Sequence, residues 1–481
     1  MKTPSDSLSR RSFLQANCAA IGSTSILSTL LNLRMANNAA ADNLTLGGDC
    51  KSLVCIFLGG GYDSYNVLVP RDTTAYTEYQ TTRSNLALQP YQMIALNQAN
   101  GGDGRNYYLH DSAPGLADMF NGTGSFAGNR RLSFVPNVGT LVQPTTLAEY
   151  QSRSVPLPKA LFSHSDQSEQ WQTSMPQGMQ QLSGWAGRTA DVLHSTLNTG
   201  VTSMSISLSG NNVMQTGQDV TQFVVNGTSA LNFTGMDSSN PFFSAKNTTL
   251  QSLMNKHYAN TFEQSFANLT MDSVDASERF GSAFESAPTF ATPFPDNNLA
   301  RQLNTIAKTI AVRQQLGLRR QTFFVNYGGW DHHAELLASQ AARLSTLDGA
   351  LTAFQLTLEE LNMQDDVITF SASDFSRTLR SNGRGTDHAW GGNAFVMGGP
   401  IDGGKVKSTT LRPSGYPTIV LDGPDDIGRG GLLLPTTSVD EYLGEMLSWF
   451  GVASSAMDQV LPNITSFYNP SSLNKPIGFV A

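Results

Sequence analysis

The chain holds seven histidines in 481 residues, and three of them, His332, His333 and His388, stand beside aspartates close behind short apolar runs. Leu53–Leu58 leads into Gly59-Gly60-Gly61-Tyr62-Asp63, with Asn66 close behind. Thr322–Tyr327 leads into Gly328-Gly329-Trp330-Asp331-His332-His333, and Val367–Phe370 leads into Ser371-Ala372-Ser373-Asp374. Gly385-Thr386-Asp387-His388 follows shortly after. Carboxylates and imidazoles together make a mixed oxygen and nitrogen donor set, which suits Zn²⁺, Mn²⁺ or Fe and is less suited to Ca²⁺. Taken singly, each residue has an ordinary reading. Asp63 is a turn former after glycines, Asp331 an N-cap for the helix that follows, Asp374 and Asp387 loop caps, and His388 a satisfied loop histidine. Placed together at successive strand ends, they predict a catalytic or metal site.

A second cluster, Phe162–Trp171, contains Ser163, His164 and Ser165. A hydroxyl beside a metal can be deprotonated and attack without a Ser-His-Asp triad. Ser163 or Ser165 is such a candidate; the alternative is a Ser-rich turn capped by Ser165 or Asp166. The glycine triplet fits neither a G-x-x-x-x-G-K-[ST] nor a G-x-G-x-x-G pattern, which weakens nucleotide cradling. No G-x-S-x-G elbow is present, which weakens a serine esterase.

The elements that must position these residues are legible. Apolar runs of four to six residues without polar alternation read as strands buried on both faces. Arg131–Val138 and Ala394–Met397 are further strand candidates. Between them, Ala341, Leu344, Leu347, Leu351, Phe354, Leu358 and Leu361 step by three and four, as do Leu299, Leu303, Ile306 and Ile310, with Gly317 as a stop. Ser438-Val439-Asp440-Glu441 is a capping box opening a helix that Gly451 ends. Strands alternating with such helices predict a doubly wound, mostly parallel α/β sheet flanked by helices. In such sheets ligands collect beyond the carboxyl ends of the strands. The stretch 189–295 is rich in Ser, Thr, Asn and Gly. Its pieces Val201–Leu208 and Gln222–Val225 read as small antiparallel strands with a helix after Leu250, forming a polar insertion or cap.

Only 14% of residues are charged, and the net charge is -8. So little basic charge argues against nucleic-acid binding. Near the N-terminus, Ser9-Arg10-Arg11-Ser12-Phe13-Leu14, a weakly apolar stretch from Cys18 to Leu33 and then Ala39-Ala40-Ala41 predict a twin-arginine export signal over residues 1–41. The partner it implies is the export machinery, and the destination is the periplasm or the medium. Cleavage would remove Lys2, Arg10, Arg11, Arg34 and Asp6, leaving 440 of the 481 residues and taking the charge from -8 to -11. No uncharged apolar run beyond it reaches the roughly 20 residues of a membrane span.

These segments resemble the bacterial DUF1501 family, many members of which carry twin-arginine signals. The resemblance rests on Phe57–Pro70, Ser163-His164, Gly184–Arg188, Gly328–His333, Phe370–Arg377, Gly385–His388 and Leu434–Thr437, in family order across nearly the whole mature chain. That family is grouped with the alkaline phosphatase-like superfamily. The resemblance implies an alkaline phosphatase-like α/β domain over residues 42–481 and a metal-assisted hydrolase or transferase of phosphate or sulfate esters. By position it implies Asp63 as the first metal ligand, with Asn66 nearby. Asp331, His333, Asp374 and His388 become further ligands and Ser163 the nucleophile. His333 fits the Asp-Thr-His pattern of the family better than His332 does. Superfamily members with two metals usually have Asp-His where this chain has Asp374-Phe375, so the resemblance implies that either one ligand of the usual set is missing or Asp387 supplies it.

Two functions follow. One is an exported hydrolase that uses a divalent metal (Zn, Mn, Fe, Ca or Mg) to activate Ser163 or water against a small-molecule or polysaccharide ester, with Arg377 or Arg188 adding positive charge. The other is a non-catalytic secreted carbohydrate- or surface-binding protein that keeps the fold and works through 189–295.

Overall fold

The computed structural model describes residues 50–178, 183–200, 202–226, 229–230, 241–411, 415–428, 430–472 and 474–481. The export signal read over 1–41 lies outside the described residues. The strands are β1 (Lys51–Phe57), β2 (Leu68–Pro70), β3 (Met93–Leu96), β4 (Tyr107–His110), β5 (Leu132–Gly139), β6 (Ser205–Ser207), β7 (Phe223–Asn226), β8 (Ser229–Ala230), β9 (Arg320–Asn326), β10 (Val367–Ala372), β11 (Gly392–Met397) and β12 (Thr437–Ser438). Among the described residues, nine of them form one sheet in the order β12-β5-β11-β10-β1-β9-β6-β7-β8, and β2-β4-β3 form a small antiparallel one.

The large sheet is mostly parallel, as the apolar runs predict. β10, β1, β9, β6 and β7 run parallel, and β12 runs parallel to β5. β5 and β10 are buried along their whole length, and β1 along all but its first residue, so helices cover both faces of the sheet's centre. β11 is antiparallel to both neighbours, because no helix lies between Ala372 and Gly392 to carry the chain across for a parallel return.

The helices are α1 (Thr73–Arg83), α2 (Pro114–Asn121), α3 (Leu147–Ser152), α4 (His164–Thr173), α5 (Trp185–Leu197), α6 (Pro241–Met254), α7 (Thr261–Glu285), α8 (Asn298–Ala311), α9 (Leu336–Glu360), α10 (Val439–Phe450) and α11 (Met457–Val460). α9 buries Leu344, Leu347, Leu351, Phe354 and Leu358 on its expected face. α10 opens on the Ser438–Glu441 capping box and stops at Gly451 in a left-handed conformation. α8 ends at Ala311, earlier than expected, and Gly317 instead shapes the turn before β9. The stretch 189–295 divides into two parts. β6 and β7 are not small antiparallel strands but parallel members of the large sheet, because α5 supplies the crossover before β6. The rest includes the helices α6 and α7, the first of which begins before Leu250.

In register, Phe57 lies opposite both Asn326 and Ala372. The carboxyl ends of β1, β9 and β10 are therefore adjacent, and the three turns that follow them emerge at one edge.

Beneath these turns Asp63 is fully buried, and its Oδ2 accepts from Arg83 Nη2. Asn66 serves this pair. Its Oδ1 accepts from Arg83 Nε at 2.9 Å and Tyr79 Oη at 2.8 Å, while its Nδ2 donates to the Leu86 carbonyl. Arg83 also donates to the Thr378 carbonyl at 2.9 Å, tying α1 to the loop after β10. Removing one partner of a buried ion pair strands the other charge in a low dielectric, at a cost of about 3–5 kcal/mol. Arg83→Met is expected to destabilise by that amount in urea unfolding, and adding Asp63→Asn to the same chain is expected to recover most of the loss.

Candidate metal centre

The site is built around the turn after β1. Gly60 and Gly61 have φ of +120° and +79°, and a Cβ on Gly60 would meet the Asp331 nitrogen at 2.6 Å. A Cβ on Gly61 would meet the Phe375 ring at 2.4 Å. Only glycine permits both the conformation and the approach. The turn lets the Gly60 and Gly61 amides point at Asp374, whose Oδ1 accepts from them at 2.9 and 2.8 Å. The other Asp374 oxygen accepts from His164 Nδ1 at 2.5 Å.

His164 is the first residue of α4. Its Nε2 lies 3.5 Å from Asp331 Oδ2, and His388 Nε2 lies 3.4 Å from Asp331 Oδ1. His164, Asp331 and His388 each offer one ligand atom within 4.8 Å of the others, a grouping that can hold a metal ion. His333 adjoins it, with Nε2 3.0 Å from Asp331 Oδ1 and 3.1 Å from His388 Nε2.

The opposite ring nitrogens decide the tautomers. His164 Nδ1 donates to Asp374, His333 Nδ1 donates to Asp387 Oδ1 at 3.1 Å, and His388 Nδ1 donates to the Phe162 carbonyl at 2.8 Å. A neutral imidazole with its proton on Nδ1 has a lone pair on Nε2. Three such lone pairs and the Asp331 carboxylate therefore face one another as acceptors. The His164 Nε2 atom is shielded from solvent and has no hydrogen-bond partner. Mutually facing acceptors repel unless protons or a cation lie between them, so the donor chemistry fits a bound metal.

The charges around Asp331 are consistent with this. Burial alone would raise its pKa, but the Arg377 hydrogen bond at 2.7 Å and charge, with His333 and His164, hold it below the usual carboxylate range. The bond to Asp374 raises the pKa of His164. Burial lowers that of His388 against the opposing bond to Phe162, with His164 and Arg377 adding to the lowering.

Of the sequence-predicted residues, Asp331, His333 and His388 come together, joined by His164. Asp63 and Asn66 do not join them. The Asp63 carboxylate is neutralised by Arg83, and Asn66 holds that pair. Asp374, expected as a direct ligand, has its oxygens taken by two amides and His164, and so orients that imidazole. Asp387 does the same for His333. Arg377, expected to face the ester, is fully buried and holds Asp331 and the Thr386 carbonyl. Arg188 donates to the carbonyls of Thr173, Ser183 and Val460, anchoring α5 to α11. His332 turns inward beside Trp330, with both ring nitrogens unbonded, and burial together with Arg343 lowers its pKa. Ser163 precedes α4, where its Oγ donates to Asp166 Oδ2 and lies 3.2 Å from Ser165 Oγ.

Two contributors escaped the sequence reading. Phe375 packs its ring 4.7 Å from both His164 and His388, an apolar wall on the imidazoles. The Asp374-Phe375 departure was the only signal for it. Phe162, with φ of +72°, contributes a carbonyl, and no side-chain pattern marks a carbonyl.

In chelator-treated protein, NMR titration of the imidazoles is expected to place His164 above and His388 below ordinary histidine. Asp374→Asn should bring His164 down. His164, raised on folding, contributes stability that is complete below the ordinary histidine pKa and disappears as pH rises through its raised value. The lowered His388 acts oppositely, its contribution being lost as pH falls through its lowered value.

The family model described as "Protein of unknown function (DUF1501)" matches residues 50–416. No curated protein matches the chain. Among solved structures, the chain is similar to the soluble domain of lipooligosaccharide phosphoethanolamine transferase A from Neisseria meningitidis. The identity is 10% over 87% of this chain and 94% of that one, with a TM-score of 0.30. It is also similar to Ps i-CgsB in complex with k-i-k-neocarrahexaose, at 9% identity over 88% of this chain and 77% of that one, with a TM-score of 0.32. Ps i-CgsB itself matches at 10% identity, with the same coverage and TM-score. The match to the family model covers most of the sequence: the chain belongs to the DUF1501 family.

Proposed function

We propose that this protein is a metal-dependent hydrolase or transferase of phosphate or sulfate esters, exported through the twin-arginine route. The observation that carries the reading is the convergence of three Nδ1-protonated imidazoles on Asp331. His164, His388, His333 and Asp331 would hold the metal, and this nitrogen-rich set favours Zn²⁺, Mn²⁺ or Fe over Mg²⁺ or Ca²⁺. A divalent cation bound there supplies Lewis acidity toward ester oxygens and lowers the pKa of a hydroxyl or water beside it.

The chain's own residues do the rest. Asp374, Asp387 and the Phe162 carbonyl keep each imidazole in the ligating tautomer. Arg377 holds the Asp331 carboxylate ionised and in place. Ser163 is the nucleophile in this reading, and Asp166, which already accepts its hydroxyl proton, takes that proton up. The Ser163 side chain donates to Asp166 and does not cap the helix. The first-turn amides of α4, without partners inside the helix, can then meet an anionic ester oxygen.

Protein purified without chelator is expected to contain close to one divalent transition metal per chain by elemental analysis. A metal content near zero would overturn the reading. Asp331→Asn is expected to weaken metal binding by roughly 100-fold or more, and Asp374→Asn by about 10–100-fold through the lost second-layer contact. With metal retained, Ser163→Ala is expected to lower hydrolysis of p-nitrophenyl phosphate or sulfate by at least about 100-fold. An unchanged rate would assign the attack to water.

A further inference from the structure

A groove opens beside the metal centre and shares a residue with it. Its volume is about 430 Å³, and its lining includes Tyr150, Leu157, Leu161, Phe162 and Ile427, all half-buried, together with the exposed Arg153. That volume lies in the range of small-molecule sites, in which apolar side chains predominate and a few polar groups fix orientation. Phe162 belongs to both places. It lines the groove, while its carbonyl holds His388 in the ligating tautomer. Its left-handed backbone makes this double use possible, and the Phe162 amide is held by Gln167 Oε1 at 2.5 Å. The next two residues are Ser163 and His164, so a molecule lying along Leu161 and Phe162 reaches the site directly.

The electrostatics of the groove differ from those of the whole protein. The chain carries a net charge of -8, yet among the described residues none that lines the groove is acidic and Arg153 is one of them. The neighbouring cavity, lined by Glu149 and Asp425 among others, lacks this character. The described lining of the groove itself offers an anionic ester no like charge. Half-buried leucine, isoleucine and aromatic surface gives an apolar group a place to leave water.

Resting on the ester reading above, the geometry points to this groove as the seat of the substrate's alcohol part. It assigns that part as aryl or aliphatic, in contrast to a nucleoside or a compact sugar. The phosphate or sulfate end lies at the histidines and the apolar end lies against Leu157, Leu161, Phe162 and Ile427.

Calorimetry on the metal-bearing protein tests this with two non-hydrolysable anions, 1-naphthylmethylphosphonate and methylphosphonate, and with neutral 2-naphthol. The naphthyl phosphonate is expected to bind at least about tenfold more tightly than methylphosphonate, as burial of an aromatic ring requires. Leu157→Ser combined with Ile427→Ser is expected to bring the two within about threefold while leaving methylphosphonate affinity unchanged. Equal affinities in the unaltered protein, or a naphthyl preference that survives the double substitution, would overturn the assignment. The naphthol arm separates the two readings. Naphthol binding that the double variant loses, without any phosphonate binding, would retain the groove and sink the metal reading. Phosphonate binding with no naphthyl preference would do the reverse, and binding of none of the three would sink both.

Discussion

The Asp374 carboxylate is the constraint on which the site depends. One oxygen is fixed by the amides of Gly60 and Gly61 and the other by His164. A single buried side chain at the end of β10 thereby fixes the turn after β1 and the start of α4. A charged acceptor bound by backbone amides is held more strongly than a neutral one, and the two glycines are what let those amides approach. The Gly59 carbonyl in the same turn accepts from the Trp330 amide at 3.1 Å, so the loop after β9 takes its position from the same arrangement.

The arrangement of the histidines follows from how their periphery is satisfied. Each imidazole has an acceptor on its outer nitrogen, and the three acceptors differ in kind: a buried aspartate, an exposed aspartate and a backbone carbonyl. Their common effect is to leave the inner nitrogens as lone pairs around Asp331, whose own charge is secured by Arg377. Asp374 and Asp387, which the sequence offered as ligands, each accept from the outer nitrogen of an imidazole. The buried Asp63–Arg83 pair occupies a third level, bracing α1 against the loop after β10. The fold therefore sets its aspartates in layers, and of these four only Asp331 lies against the inner imidazole nitrogens.

The framework was legible because it depends on local periodicity. Leu53–Leu58, Thr322–Tyr327 and Val367–Phe370 became parallel neighbours, and the three-and-four spacing of α9 placed its leucines in the core. The direction of β11 was not legible, since an apolar run carries no sign of it; only the missing crossover helix decides that. β6 and β7 misled for a related reason. Short strands of serine and alternating residues look peripheral, yet a preceding helix delivered them to the sheet.

By itself, the sequence determined the α/β class, the edge at which chemistry gathers and most of the residues that gather there, because strand ends and scarce histidines are read along the chain. The tertiary structure alone decided which aspartate faces the inner imidazole nitrogens and which hold the outer ones. That choice depends on what reaches each oxygen from elsewhere: Arg83 to Asp63, two amides to Asp374, His333 to Asp387. It also decided that His333 faces the site while its neighbour His332 faces the core. The carbonyl of Phe162 became part of the site for the same reason: a backbone atom acquires a role only from the conformation that aims it.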